Sequence, residues 1–225
     1  MAADPDATSL QLNLAVLGAT GPTGVEAVKQ ALEYGHHVTA IVRSPEKLSD
    51  IKNENLEVVK ADIFEPESLV PHLQGKDAVL SYLGSYFVSI FNPTTLYTES
   101  MKSIMTAMER SNVTRIVAIT SWCTETEPGN PKIMEWLIKP LFLNAYLPDM
   151  RRMEKMLEES LFNFTVIRPP RLTNDEAKKN YKIVEGQFVA GVSRAISRAD
   201  TADASLKVLL THEWDRKAVA IGCNQ

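Results

Sequence analysis

Seven residues near the start of the chain, Gly18-Ala19-Thr20-Gly21-Pro22-Thr23-Gly24, constrain the fold more than any others. They follow a short apolar, β-compatible run at 12–17. They open a stretch at 22–34 in which Val25, Val28, Ala31 and Leu32 recur at helical spacing, with Gly35 as the stop. Strand, glycine-rich turn and helix, in that order, is the context that makes such a pattern informative. Glycine lets the backbone turn sharply and approach a bound group with no Cβ in between. The unpaired N–H groups of the helix start then face that group, which favours an anion such as a pyrophosphate. Thr20 and Thr23 add hydroxyl donors. The spacing is G-x-x-G-x-x-G rather than G-x-G-x-x-G, and without a ligand the same residues would make only a tight turn.

The rest of the chain repeats the alternation. Strands are expected at 37–42, 56–60, 78–83, 115–120, 164–167 and 218–221, and helices at 68–73, 93–110, 149–160 and 201–211. Alternating strands and helices mean a parallel sheet covered on both faces. The fold class is therefore α/β, a Rossmann-type doubly wound parallel sheet, and 225 residues suit one such domain. Residues 1–10 read as a loose tail and 11–225 as the domain. The stretch 122–147 breaks the pattern. It holds Pro128, Pro131 and Pro140 together with Trp136, Leu137, Ile138, Leu141, Phe142, Leu143 and Tyr146. It is too long for a plain connection and too apolar for a disordered one, so it reads as a lid-like insert or as a cover for the core.

Composition narrows the partners. A formal net charge of -4 argues against a general nucleic-acid binder. No apolar run approaches the roughly 18 residues of a membrane span. The start of the chain lacks the basic and apolar regions of a signal peptide. Cys123 and Cys223 have neither metal-ligand nor disulfide-framework spacing. The expectation is a cytoplasmic, metal-free monomer that binds small molecules.

The second strand ends at Val42-Arg43-Ser44. A site for NAD would carry a carboxylate here to accept from the ribose 2′-hydroxyl. Arg43 and Lys47 instead suit a 2′-phosphate, with Ser44 adding a hydrogen bond. NADPH is the expected cofactor. The bland alternative is that both cations are solvated surface charges.

With these residues in view, the chain resembles the atypical short-chain dehydrogenase/reductases, and within them the flavin reductase/biliverdin-IXβ reductase family. The resemblance rests on GATGPTG at 18–24, VTAIVRSPEKL at 38–48, KAD at 60–62, LGS at 83–85, ITS at 119–121, RRMEKMLEES at 151–160 and RPP at 168–170. It implies that Gly18, Thr20, Gly21, Pro22, Thr23 and Gly24 hold the pyrophosphate and that Arg43, Ser44 and Lys47 hold the 2′-phosphate. It places Asp62 and Ile63 beside the adenine, Leu83, Gly84 and Ser85 under the central ribose, and Thr120, Ser121 and Pro170 around the nicotinamide. The chain departs from the family at Arg171, where the pattern has histidine, and at 86–92, which is unusually apolar. Both lie where an acceptor would sit.

None of Tyr34, Tyr82, Tyr86, Tyr97, Tyr146 and Tyr181 has lysine four residues later, so the Tyr-x-x-x-Lys pair of conventional alcohol dehydrogenases is missing. A flavin or a linear tetrapyrrole (bilin) such as biliverdin-IXβ needs less help, because its conjugated system takes hydride directly. Ser121 is the candidate catalytic residue, orienting cofactor or acceptor, or else merely capping the strand end. Trp122 and Cys123 are candidate acceptor contacts, Trp122 either stacking on a planar ring or filling core. Arg171 is the candidate partner for a propionate or phosphate. A non-enzymatic alternative is an NADPH-sensing regulator of the NmrA-like kind, or an assembly factor using the apolar insert as a binding surface.

Overall fold

The computed structural model describes residues 11–85, 93–127 and 129–224, with Phe142 described for its backbone alone. The expected tail at 1–10 and the apolar stretch at 86–92 lie outside the described residues.

The chain begins β1 (Asn13–Leu17), α1 (Pro22–Glu33), β2 (His37–Val42), β3 (Leu56–Lys60), α2 (Pro66–Leu73) and β4 (Ala78–Ser81). It continues with α3 (Leu96–Arg110), β5 (Arg115–Ile119), α4 (Leu147–Glu159) and β6 (Asn163–Arg168). The last part holds the short strands β7 (Arg171–Thr173), β8 (Tyr181–Glu185) and β9 (Ala195–Ser197), then α5 (Arg198–Thr211) and β10 (Lys217–Cys223). Eight strands form one sheet in the order β3-β2-β1-β4-β5-β6-β10-β8. Every neighbouring pair is parallel except β10 with β8. The order reverses between β1 and β4, the switch point at which open α/β sheets bind ligands.

Side-chain alternation explains why helices cover both faces. On β1, Leu14 and Val16 point to a core shared with α1 and α5. Ala15 and Leu17 point to the opposite core, shared with α2, α3 and α4. Such strands are buried on both sides, so they read as continuous apolar runs. α1 and α5 pack side by side, tied by Gln30 Nε2 donating to the Ala199 carbonyl at 2.9 Å.

Several boundaries differ from expectation. α3 starts at Leu96 rather than 93, because the Leu96 N–H is taken by Thr94 Oγ1 at 3.0 Å in a local turn. α5 starts at Arg198 rather than 201, capped by Ser197 Oγ, which accepts from the Asp200 N–H at 2.9 Å. β7, β8 and β9 were not expected, since three-residue strands carry no periodicity and β8 is an edge strand. The insert at 122–147 is more regular than its prolines suggest, with a π-helix at Met134–Leu143 running through Pro140. Its polarity is inverted. Glu135 and Lys139 pair at 2.8 Å on its sheltered side, with Thr126 and Asn130 donating to Glu135. Ile133, Leu137 and Leu141 are exposed, and Trp136 is 84% exposed. Of the apolar residues named for the insert, Trp136, Leu137 and Leu141 thus face outward, while Ile138, Leu143 and Tyr146 are half-buried.

Candidate functional site

A cleft of about 700 Å³ runs along the C-terminal ends of the strands, within the ordinary range for ligand sites. Its middle is the glycine loop. Gly18 adopts φ +73°, and a Cβ there would lie 2.6 Å from the Tyr82 carbonyl carbon, so only glycine lets the loop pass this close to β4. The Gly21 N–H donates to the Gly18 carbonyl at 2.9 Å, and the Val25 N–H donates to the Gly21 carbonyl at 2.9 Å, which starts α1. Pro22 has no N–H, and helix geometry leaves those of Thr23 and Gly24 without an intrahelical acceptor. No acidic residue stands in the first turn of α1. Gly18, Thr20, Gly21, Pro22 and Thr23 line the cleft. Gly24 does not. A Cβ there would lie 2.2 Å from the Gly18 carbonyl oxygen, so its role is helix-to-loop packing.

At one end stand Arg43 and Lys47. A 3-10 turn at Pro45–Leu48, closed by the Lys47 N–H donating to the Ser44 carbonyl at 3.2 Å, folds Lys47 back beside Arg43. Ser44 shapes this turn with its backbone and is not among the lining residues. Ile63 lines the cleft, whereas the Asp62 carboxylate turns back to accept from the Phe64 N–H at 2.9 Å. Phe64, missed from the sequence, lines the cleft and leaves its ring exposed beside Ile63.

The other end is apolar. Leu83, Gly84 and Ser85 after β4 and Ile119 and Thr120 at the end of β5 meet Leu96 and Tyr97 of α3, Met150 of α4 and Leu172 of β7. Sequence reasoning missed the α3 and α4 wall because no motif marks it. The wall is built by Asp149, fully buried on α4, whose Oδ2 accepts from the Tyr97 N–H at 2.8 Å at the start of α3.

Thr120 is held by a buried network that the sequence did not reveal. Its Oγ1 donates to Glu154 Oε1 at 2.7 Å. Glu154 Oε2 accepts from Thr124 Oγ1 at 2.8 Å. Arg168 closes a two-pronged pair, Nε to Oε1 at 3.1 Å and Nη2 to Oε2 at 2.7 Å. Glu154 is 0% and Arg168 4% exposed. With its proton committed to Glu154, the Thr120 hydroxyl keeps only acceptor lone pairs.

Five residues expected around the nicotinamide and the acceptor do not line the cleft. Trp122 and Cys123 are buried in a separate core with Val189, Val192 and Ala220. Trp122 Nε1 donates to the Ile221 carbonyl at 2.9 Å, and burial pushes the Cys123 thiol up to about 11. Neither lines the cleft. Ser121 and Pro170 flank the site but are not among its lining residues. Arg171 is exposed on β7. Its neighbour Leu172 faces the cleft, and successive strand residues point to opposite sides, so Arg171 points away. No described residue of the insert at 122–147 lines the cleft. The cation on this side is Arg198, the first residue of α5. Among the described residues no three His, Cys, Asp or Glu side chains gather as metal ligands, and no helix is long and apolar enough to cross a membrane.

These residues fit a nicotinamide dinucleotide. Free helix N–H groups stand mid-cleft, cations at the β2 end, and no described carboxylate lines the walls. Comparisons with known proteins agree. The model of a family described as NAD(P)H-binding matches residues 18–212. An uncharacterized chloroplastic protein of Arabidopsis thaliana is 30% identical over 217 residues, covering 92% of this chain and 75% of its own length. Photosystem II assembly factor Ycf39 of Trieres chinensis is 28% identical over 164 residues, 70% of this chain, although the match spans less than half (45%) of that protein. Among solved structures, a short-chain dehydrogenase/reductase of Veillonella parvula in complex with NADP superposes with TM-score 0.76 at 21% identity, covering 95% of each chain. A candidate NADH-flavin reductase of Streptococcus pneumoniae superposes with TM-score 0.72 at 23% identity, covering 95% of this chain and 100% of that one. The chain therefore belongs to the NAD(P)H-binding family of Rossmann-type domains, and NAD(P)H is its cofactor.

Proposed function

We propose that the protein is an NADPH-dependent reductase of planar conjugated acceptors, flavins (FMN, FAD, riboflavin) or linear tetrapyrroles. The observation that carries this reading is the polarity of the cleft, which has Arg43 and Lys47 at one end, apolar walls at the other and no carboxylate among its described lining residues. Arg43 can pair bidentately with a 2′-phosphate that a carboxylate would repel. The dinucleotide, when bound, supplies hydride. The chain's own part is positioning: Leu83, Leu96, Tyr97, Met150 and Leu172 offer apolar surface to a flat ring and exclude water. Tyr82, on the cleft wall, does not resemble an activated tyrosine. The Tyr82 hydroxyl is turned back to Ser205, and burial raises its pKa above the ordinary phenol value. An acceptor that draws its proton from water suits such a site.

Steady-state NADPH oxidation with FMN, FAD, riboflavin and a bilin tests the reading, and turnover with at least one of them is expected. Calorimetry tests the cofactor half. NADPH should bind much more tightly than NADH, and Arg43→Asp should weaken NADPH by about 10- to 100-fold, roughly 1.5–3 kcal/mol for a lost charge-assisted contact. Equal wild-type affinity for both dinucleotides would overturn it. A second reading, a dinucleotide-sensing assembly factor, is favoured by the outward apolar stripe around Trp136 and by the likeness to an assembly factor. Tight NADPH binding with no turnover on any acceptor would favour that reading.

A further inference from the structure

We infer that Arg198 forms an anion subsite on the α5 side of the cleft, taking a phosphate or carboxylate group of whatever occupies it. The inference deepens the reductase reading and rests on it only for the identity of the acceptor.

Three observations point there. Arg198 lines the cleft, and its recorded partner, Asn174 Oδ1 at 2.6 Å, is a neutral carboxamide. One neutral hydrogen bond orients the arm and leaves the positive charge, with most of its five donors, uncompensated. No carboxylate among the described residues lies within ion-pair distance of Arg198, and none lines the cleft. A guanidinium without a counterion at a concave site favours an anionic ligand.

The third observation is the rigidity of the mount. Asp200, 1% exposed, accepts from the Lys178 N–H at 2.9 Å and the Lys179 N–H at 2.7 Å, and from Ser197 Oγ at 2.8 Å. Thr201 Oγ1 donates to the Ser197 carbonyl at 2.9 Å. The first turn of α5 is thus locked to the 178–179 backbone, and β9, paired with β7, leads directly into it. Pre-organised charge of this kind loses little freedom on binding. Through α5, which packs on α1, Arg198 stands on the wall opposite Tyr97 and Met150. Two sources of anion reach that wall, the dinucleotide's diphosphate and an anionic group of the acceptor.

Binding measurements separate them without requiring turnover. Arg198→Met and Arg198→Lys would be compared with the wild type, using thermal unfolding to confirm an intact fold. Calorimetry with NADP+ and with adenosine 2′-monophosphate, which lacks the diphosphate, forms one arm. Fluorescence quenching of FMN and of uncharged riboflavin by the protein–NADP+ complex forms the other. If the diphosphate is the partner, Arg198→Met weakens NADP+ about tenfold and leaves adenosine 2′-monophosphate unchanged. If the acceptor is the partner, NADP+ binding holds and FMN weakens about tenfold while riboflavin does not. In either case Arg198→Lys restores part of the loss, because charge survives without the planar fork. NADP+ affinity and the FMN-to-riboflavin ratio both within twofold of wild type would overturn the subsite. Loss of binding in a protein that proves unable to reduce any acceptor would leave the subsite standing and sink only the reductase reading.

Discussion

Glu154→Gln is the substitution whose consequence can be worked most fully from the structure. The change keeps shape and removes one charge from a fully buried pair. Arg168 would then hold an uncompensated charge, with its remaining acceptor the Gly186 carbonyl at 3.0 Å. The new amide can turn only one oxygen toward the four donor groups that Glu154 now serves: Thr120 Oγ1, Thr124 Oγ1, and Nε and Nη2 of Arg168. Breaking one partner of a buried pair costs about 3–5 kcal/mol, and the pair is too sheltered for solvent to screen it. Against a total of roughly 5–15 kcal/mol for a domain, the variant should fold but unfold at much lower urea. The double variant Glu154→Leu/Arg168→Met leaves no buried charge and should be less destabilised than Glu154→Gln, a non-additivity that a simple sum of lost contacts cannot produce. Urea unfolding followed by far-ultraviolet circular dichroism measures both. A loss below about 1 kcal/mol for Glu154→Gln, or a double variant worse than the single one, would refute the reasoning.

Gly18→Ala should cost more than Gly35→Ala: both glycines have positive φ, a strain of about 1–3 kcal/mol for alanine, but only Gly18 would drive its Cβ into the β4 backbone; urea midpoints of the two variants give the difference. Burial pushes the Asp203 carboxyl up, but hydrogen bonds from Tyr181, Tyr34 and Lys179 outweigh it and hold the pKa below the usual value. The unfolded state therefore binds the proton more readily, so this contribution is complete above about pH 3.9 and is lost as pH falls through the folded value; Asp203→Asn should flatten the acid limb of a stability–pH curve. Arg171→Ala should leave NADP+ affinity and FMN binding within twofold of wild type, since the side chain points away from the cleft; a selective loss for FMN would return the anion contact to Arg171.

The sequence alone determined the sheet and half of the cleft's lining. Continuous apolar strands, the glycine turn and the Arg43–Lys47 pair are local signals, because a residue's position relative to its own strand end sets where it points. That is why the β1 and β2 end was legible, down to a Gly18 that tolerates no Cβ. The apolar half of the cleft was decided only in three dimensions. Arg171 and Arg198 are 27 residues apart in sequence, but β7 and β9 lie side by side, and strand alternation turns Arg171 out while α5 turns Arg198 in. Trp122 and Cys123 come just after Thr120 and Ser121, yet the chain takes them into a second core away from the cleft. Glu154 reads as one more charge on an amphipathic helix, and only the packing of α4 over β5 and β6 places it against Arg168 and beneath Thr120. Which face of a short strand or helix meets the ligand depends on partners distant in sequence, so local pattern could not name these residues.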